Sequence, residues 1–157
     1  MTNSMLAHTA RRKLRFRSFE QVVLDVDRLK VGHATVGRWS LGEILNHLST
    51  TIHLSIDGPP TKRSLVVRRF IGPVVRQMSL WLQWIPEGIS VPPGYLPQPN
   101  SEIEKEADAL RHAIERFCAH GGSFQEHPLM GRLSAAQWDR FHCVHCAHHL
   151  SFALPTS

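Results

Sequence analysis

The sequence has no apolar run of about 18 residues, the length that a bilayer-spanning helix needs. The best candidate, Leu65 to Ile85, is broken by Arg68, Arg69, Arg76 and Gln77, so no membrane partner is expected. A secretory leader is not expected either. Arg11, Arg12, Lys13, Arg15 and Arg17 stand where its apolar core would follow, and no small-residue cleavage site appears. Cysteine is scarce. Three cysteines are an odd count, and Cys143 and Cys146 fall in a helical pattern, which points to a reduced, cytoplasmic protein without a disulfide framework. Internal repeats, low-complexity tails and alternating strand patterns are also lacking, so neither a solenoid nor a sheet is expected.

Acidic residues are outnumbered: 13 Asp and Glu against 18 Lys and Arg leave a formal charge of +5. Such a balance suits nucleic acid or an acidic surface. However, few aromatics interleave with the basic clusters at Arg11–Arg17 and at Lys62, Arg63, Arg68 and Arg69, as a base-stacking platform would require. A solvated basic face, or a contact with a partner subunit, is the preferred reading, and nucleic acid is not the expected partner.

What is present is enough for one domain, residues 1–157, with 42% apolar residues. A chain of this size buries roughly 70% of its unfolded surface without disulfides. Helix starts are written in a repeated form. Ser18…Gln21, Ser40…Glu43, Ser101…Glu104 and Ser134…Gln137 each place a hydroxyl three residues before Glu or Gln, the capping-box pattern that satisfies free amide donors reciprocally. The apolar spacing that follows predicts helices from about Phe19 to Lys30, from about Leu41 to Ile56, from just after Pro99 to Gly121, and from just after Gly131 to about Phe152. Between the second and third lies a long crossover. Ser64 to Trp84 predicts one more helix that Pro73 kinks or divides, and Ile85–Asn100, with five prolines and two glycines, predicts an extended loop. The expected fold is therefore all-α, a four-helix bundle with a long crossover.

The informative cluster is His142-Cys143-Val144-His145-Cys146-Ala147-His148-His149. Residues four apart on a helix are neighbours, so His145 and His149 can present imidazoles to one ion. His142 and His149 share that face but stand roughly 10 Å apart along the axis, too far for one ion. A second helix must complete the set, and His47, central on the second helix, is the best third ligand. Three neutral imidazoles would leave one position of a tetrahedral ion open, as in catalytic zinc sites. His142 paired with His145 or with Cys146 keeps other ligand sets open. Cys143-x-x-Cys146 lacks the second Cys pair of a zinc finger and reads as two packed thiols. Trp39 and Trp138 read first as core, with a wall of the metal pocket as the sharper alternative. Glu43, one turn before His47, reads as a capping-box partner, an orienting group or a general base. His8, His33, His53, His112, His120 and His127 read as surface or loop residues.

Trp39-Ser40-Leu41-Gly42-Glu43-Ile44-Leu45-Asn46-His47-Leu48 resembles the second-helix motif of the DinB/YfiT-like superfamily, and His145-Cys146-Ala147-His148-His149 resembles its C-terminal histidine motif. Arg11-Arg12-x-Leu14-x-Phe16, His127-Pro128-Leu129-Met130-Gly131-x-Leu133-Ser134, Trp138 and His149-Leu150-Ser151-Phe152 resemble a branch catalogued only as a domain of unknown function. The likeness covers nearly the whole chain. It implies a DinB/YfiT-type bundle, often dimeric, with a divalent metal, zinc or nickel first, on His47, His145 and His149. It also implies a metal-dependent thiol S-transferase or small-molecule hydrolase acting on a small substrate, such as a low-molecular-weight thiol. Glu43 and His148 are then the candidates for acid–base or orienting work. The Pro-rich crossover from Gly58 to Asn100 departs from the relatives, so substrate identity does not carry over. A non-catalytic, stress-associated or ligand-binding bundle is the competing expectation.

Overall fold

A computed structural model describes residues 11–59, 65–85, 91 and 93–156. Within them the chain forms α1 (Phe19–Val31), β1 (His33–Thr35), α2 (Leu41–Asp57), α3 (Leu65–Phe70), α4 (Gly72–Leu80), a 3-10 turn (Pro93–Tyr95), α5 (Ile103–Ala119), α6 (Ala135–Leu150) and β2 (Ala153–Pro155). The protein is thus mostly helical. No helix among the described residues is long and apolar enough to cross a membrane.

Two of the four capping boxes form. Ser40 Oγ accepts the Glu43 N–H at 3.2 Å while Glu43 Oε2 accepts the Ser40 N–H at 2.7 Å, starting α2. Ser134 and Gln137 make the same exchange at the start of α6, at 3.2 and 2.9 Å. The other two do not close, because the same side chains find nearer backbone partners. Gln21 Oε1 accepts the Arg17 N–H at 2.7 Å, and Ser101 Oγ donates to the Gln98 carbonyl at 2.7 Å, leaving Glu102 as the N-cap of α5.

The crossover helix is divided rather than kinked. α3 ends at Phe70, and Gly72-Pro73 opens α4, where a proline costs nothing because the first-turn amides have no intrahelical partner. The expectation of no strand is corrected by β1 and β2, which pair antiparallel with Ala34 opposite Leu154. Strands of three residues are too short to show an alternating pattern. The ribbon nevertheless ties the segment after α1 to the segment after α6.

The core comes from α1, α2, α5 and α6. Val22, Val26 and Leu29 of α1 meet Leu41, Leu45, Leu48 and Ile52 of α2, together with Leu110 and Phe117 of α5 and Leu150 of α6. α2 packs most extensively on α5 and also touches α6, while α4 lies against α6. The N-terminal basic run, expected to be solvated or partner-facing, turns inward at two positions. Arg12 grips Asp25 of α1 through two bonds of 2.7 Å and the Leu150 carbonyl at 2.9 Å, and Arg11 bonds Ser151 Oγ at 3.0 Å. Phe16 joins the core.

The α2 N-terminus approaches the lead-in to α5 so closely that only glycine fits. A Cβ on Gly42 would lie 1.9 Å from the Ser101 carbonyl oxygen. Alanine elsewhere in a helix is favoured over glycine by about 1 kcal/mol. Here Gly42→Ala is expected to reverse that sign and destabilise by about 2 kcal/mol or more. Chemical denaturation of the purified variant measures it, and a neutral or stabilising result contradicts the close approach.

Candidate metal centre

α2 carries His47 on its buried face, and α6 carries His145 and His149 one turn apart. The three rings meet. His47 Nε2 lies 3.2 Å from His145 Nε2, which lies 3.0 Å from His149 Nε2, and one nitrogen of each ring falls within 4.8 Å of the others. Ligands at about 2.0–2.1 Å from a tetrahedral zinc stand about 3.3 Å apart, so the observed contacts are close to what one ion requires.

The protons point to the same donor set. His47 Nδ1 sits 2.6 Å from the Tyr95 carbonyl. A carbonyl only accepts, so Nδ1 carries the hydrogen and Nε2 presents its lone pair to the cluster. His145 Nε2 faces two other ring nitrogens at once, and a single proton there cannot serve both contacts well. Adding positive charge is opposed as well. Burial lowers the affinity of all three rings for protons, and for His145 and His149 neighbouring imidazoles lower it further, so both titrate well below the ordinary histidine range. Tyr95's carbonyl partly offsets the effect at His47. The rings are therefore neutral near pH 7, the form that ligates.

Aromatic side chains wall the cluster. Phe141 stacks on His145 with centroids 5.4 Å apart, and Trp39 stacks on His149 at 5.4 Å and tilts against His47 at 5.0 Å. Trp39 thus packs against two rings of the cluster as well as against the core. His149 and Trp39 are half-buried and form the edge nearest solvent. Among the described residues, no other set of three His, Cys, Asp or Glu gathers at ligand distance.

Glu43's carboxylate is held in the capping box. His148 packs edge-on against His149, with centroids 4.9 Å apart, and against Phe152 at 5.9 Å. Cys143 and Cys146 are buried free thiols, and burial pushes Cys143 up to about 12 and Cys146 higher, so both stay protonated. His8 lies outside the described residues. His127, expected at the surface or in a loop, is in a loop but turned inward. Its Nδ1 accepts the Leu129 and Met130 amides at 3.1 and 3.0 Å, and its ring packs on Phe141. His142 is fully buried and does not join the metal cluster; it stacks on Trp138 and meets Phe117 edge-on. Sequence reasoning missed the Tyr95 carbonyl, because a backbone acceptor leaves no mark in residue identity.

A mostly helical protein with a three-histidine cluster at its centre is the class defined so far. The chain belongs to the family described as "Protein of unknown function (DUF1569)", whose model matches residues 8–156. No curated protein and no solved structure matches it.

The two buried histidines outside the cluster make stability depend on pH. Burial lowers both His127 and His142 to about 3, with Arg68 adding to the effect at His127 and His127 at His142. Between about 3 and the unfolded value near 6.5 the native state binds fewer protons than the unfolded chain, so stability present above 6.5 is lost as pH falls, by about 1.4 kcal/mol per unit for each ring. Neither His142 nitrogen has a hydrogen-bond partner among the described residues. His142→Phe keeps the aromatic stack and removes the titrating group. Its unfolding free energy is expected to fall less steeply than wild type between about pH 7 and about pH 5, by roughly one proton's worth of slope. Urea titrations at both pH values test this; identical slopes would show that His142 contributes nothing to acid sensitivity.

Proposed function

We propose that this protein is a divalent-metal enzyme of DinB/YfiT-like four-helix architecture, in which His47, His145 and His149 hold zinc or nickel. The reaction proposed is S-transfer, in which the sulfur of a low-molecular-weight thiol bonds to an electrophilic centre of a small molecule as that centre's bond to its leaving group breaks and the thiol proton passes to a base. Small-molecule hydrolysis is the variant in which water replaces the thiol. The observation that carries the reading is the convergence of three Nε2 atoms from two helices, with the His47 tautomer set by Tyr95's carbonyl. The resemblance of Trp39–Leu48 and of His145–His149 to the superfamily's motifs adds the reaction class.

His47, His145 and His149 would hold the ion, which would supply Lewis acidity toward a thiol or a water. The chain's own residues do the rest. Phe141 and Trp39 limit water around the rings, and His47 is kept from rotating by its bond to residue 95. His148, beside His149, is the nearest candidate to accept the proton released by the attacking group, and Glu43 serves α2 by fixing its first turn. The setting proposed is a reducing cytoplasm, in which Cys143 and Cys146 remain thiols.

Metal analysis of protein purified without added metal is expected to find close to one divalent ion per chain, or stoichiometric uptake of added zinc. His145→Ala and His149→Ala are each expected to weaken uptake by about 100-fold or more while the helical circular dichroism persists. Cobalt(II) loading reads the open position, since the visible spectrum is expected to change when a small thiol is added. Protein that takes up no metal sinks the whole reading. A loaded protein with no spectral response and no turnover of thiols or activated esters sinks its enzymatic part.

A further inference from the structure

The α3–α4 segment is apolar on two sides. Its inner side is consumed by the fold: Ser79 is fully buried, and Val75 and Leu80 pack against the core beside α6. Among the described residues its outer side is not covered. Phe70 at the end of α3, Val74 on α4 and Trp81 at its C-cap are 70%, 56% and 75% exposed, and Leu82 and Trp84 just beyond are exposed as well. A helix that is apolar all round is normally buried, and an exposed patch of this kind marks an interaction surface.

Charge identifies the occupant. Leu65 to Ile85 contains three arginines and no acidic residue. Arg69 is exposed. A row of further guanidinium groups is fixed along the flank: Arg68 by Glu126 at 2.8 Å, Arg76 by the Gln137 amide oxygen at 3.1 Å and Arg140 by the Leu80 carbonyl at 2.6 Å. Arg132, 89% exposed, stands at the α3 end and shares Glu126 with Arg68, at 4.0 Å, so the one carboxylate answers two arginines. A second copy laid on this face would bring like charges together with little acid to answer them. A planar anionic surface offers apolar depth for the patch, an interfacial level for Trp81 and Trp84, and counter-charge for the row.

We propose that the outer face of α3–α4 docks on an anionic lipid bilayer, lying in the headgroup region without crossing it. This departs from the expectation of no membrane partner, which rested on the lack of a spanning segment; an interfacial contact needs none. It is independent of the metal reading, since neither the patch nor the arginine row includes a histidine of the cluster.

Co-sedimentation of the full chain with vesicles tests it. Binding to mixed phosphatidylglycerol–phosphatidylcholine vesicles is expected to exceed binding to phosphatidylcholine alone by about tenfold or more, and to weaken severalfold as salt is raised. Tryptophan emission is expected to shift to the blue on binding. Phe70→Ser combined with Trp81→Ser, both exposed positions, and separately Arg69→Glu, are expected to reduce binding by about tenfold and severalfold. Circular dichroism and metal uptake of these variants should match wild type. Absence of sedimentation, or equal sedimentation with neutral vesicles, overturns the proposal. So does a dimer in analytical ultracentrifugation that the double serine variant splits, because the face would then belong to a second copy.

Discussion

The structure depends on one constraint: three imidazole nitrogens from α2 and α6 must share a space that suits a single ion. Each ring is bulky and polar, and their contacts of 3.0 and 3.2 Å leave no room for either helix to slide by a residue. The supports of this approach are spread along the chain. Capping boxes fix where α2 and α6 begin, Gly42 lets the start of α2 come up to the Ser101 carbonyl, and the β1–β2 ribbon holds the far end of α6. Arg12 adds a half-buried cross-tie between α1 and the last carbonyl of α6. Its charge is answered by the Asp25 carboxylate and the Leu150 carbonyl, while its Nε has no hydrogen-bond partner among the described residues.

α6 departs from the usual way that helices acquire stability in a domain. An ordinary surface helix buries an apolar stripe and shows polar residues to water. α6 instead buries Phe141 to Ala147 without interruption, including His142 and His145. Rings answer this from both sides: α6's own Trp138 against His142 and Phe141 against His145, and its neighbours' Phe117 against His142 and Trp39 against His149. Imidazole faces pack well on aromatic surfaces, but ring nitrogens withdrawn from water still need partners. His47 and His127 have backbone partners. The three cluster nitrogens face one another at 3.0 and 3.2 Å, a set that could hold one ion.

Much of this was legible in the sequence because it depends on spacing. The i,i+4 relation of His145 and His149, the placement of His47 in mid-helix, and the starts at Ser40 and Ser134 are all local patterns with one physical outcome. The helix boundaries around them fell within a few residues of expectation. Ser18 and Ser101 carry the same letters as the boxes that formed, yet Arg17's amide and Gln98's carbonyl compete for the side chains involved, and sequence spacing does not weigh that competition. Tyr95 was hidden for another reason. Its contribution is a carbonyl delivered by the fold of a proline-rich crossover, so no side-chain pattern announces it. The inward turn of Arg12 and His127 was likewise set by tertiary partners, Asp25 and the Leu129–Met130 amides.

Because the cluster joins α2 to α6, any ion it took up would be coupled to stability. An ion that binds only the native arrangement adds RT ln(1 + [M]/Kd) to the unfolding free energy, about 2.7 kcal/mol when free metal is a hundredfold above Kd. That is a substantial part of the roughly 5–15 kcal/mol expected for a domain of this size. The coupling also has a direction in pH. Acid protonates the unfolded chain's histidines first, since the buried rings resist protonation, and protons compete with metal for the same lone pairs. Falling pH would therefore weaken the ion's hold and the surrounding core together. A polar centre of this kind makes α2 and α6 interdependent: neither helix can lose its histidine without leaving the other's nitrogens facing inward with no common partner.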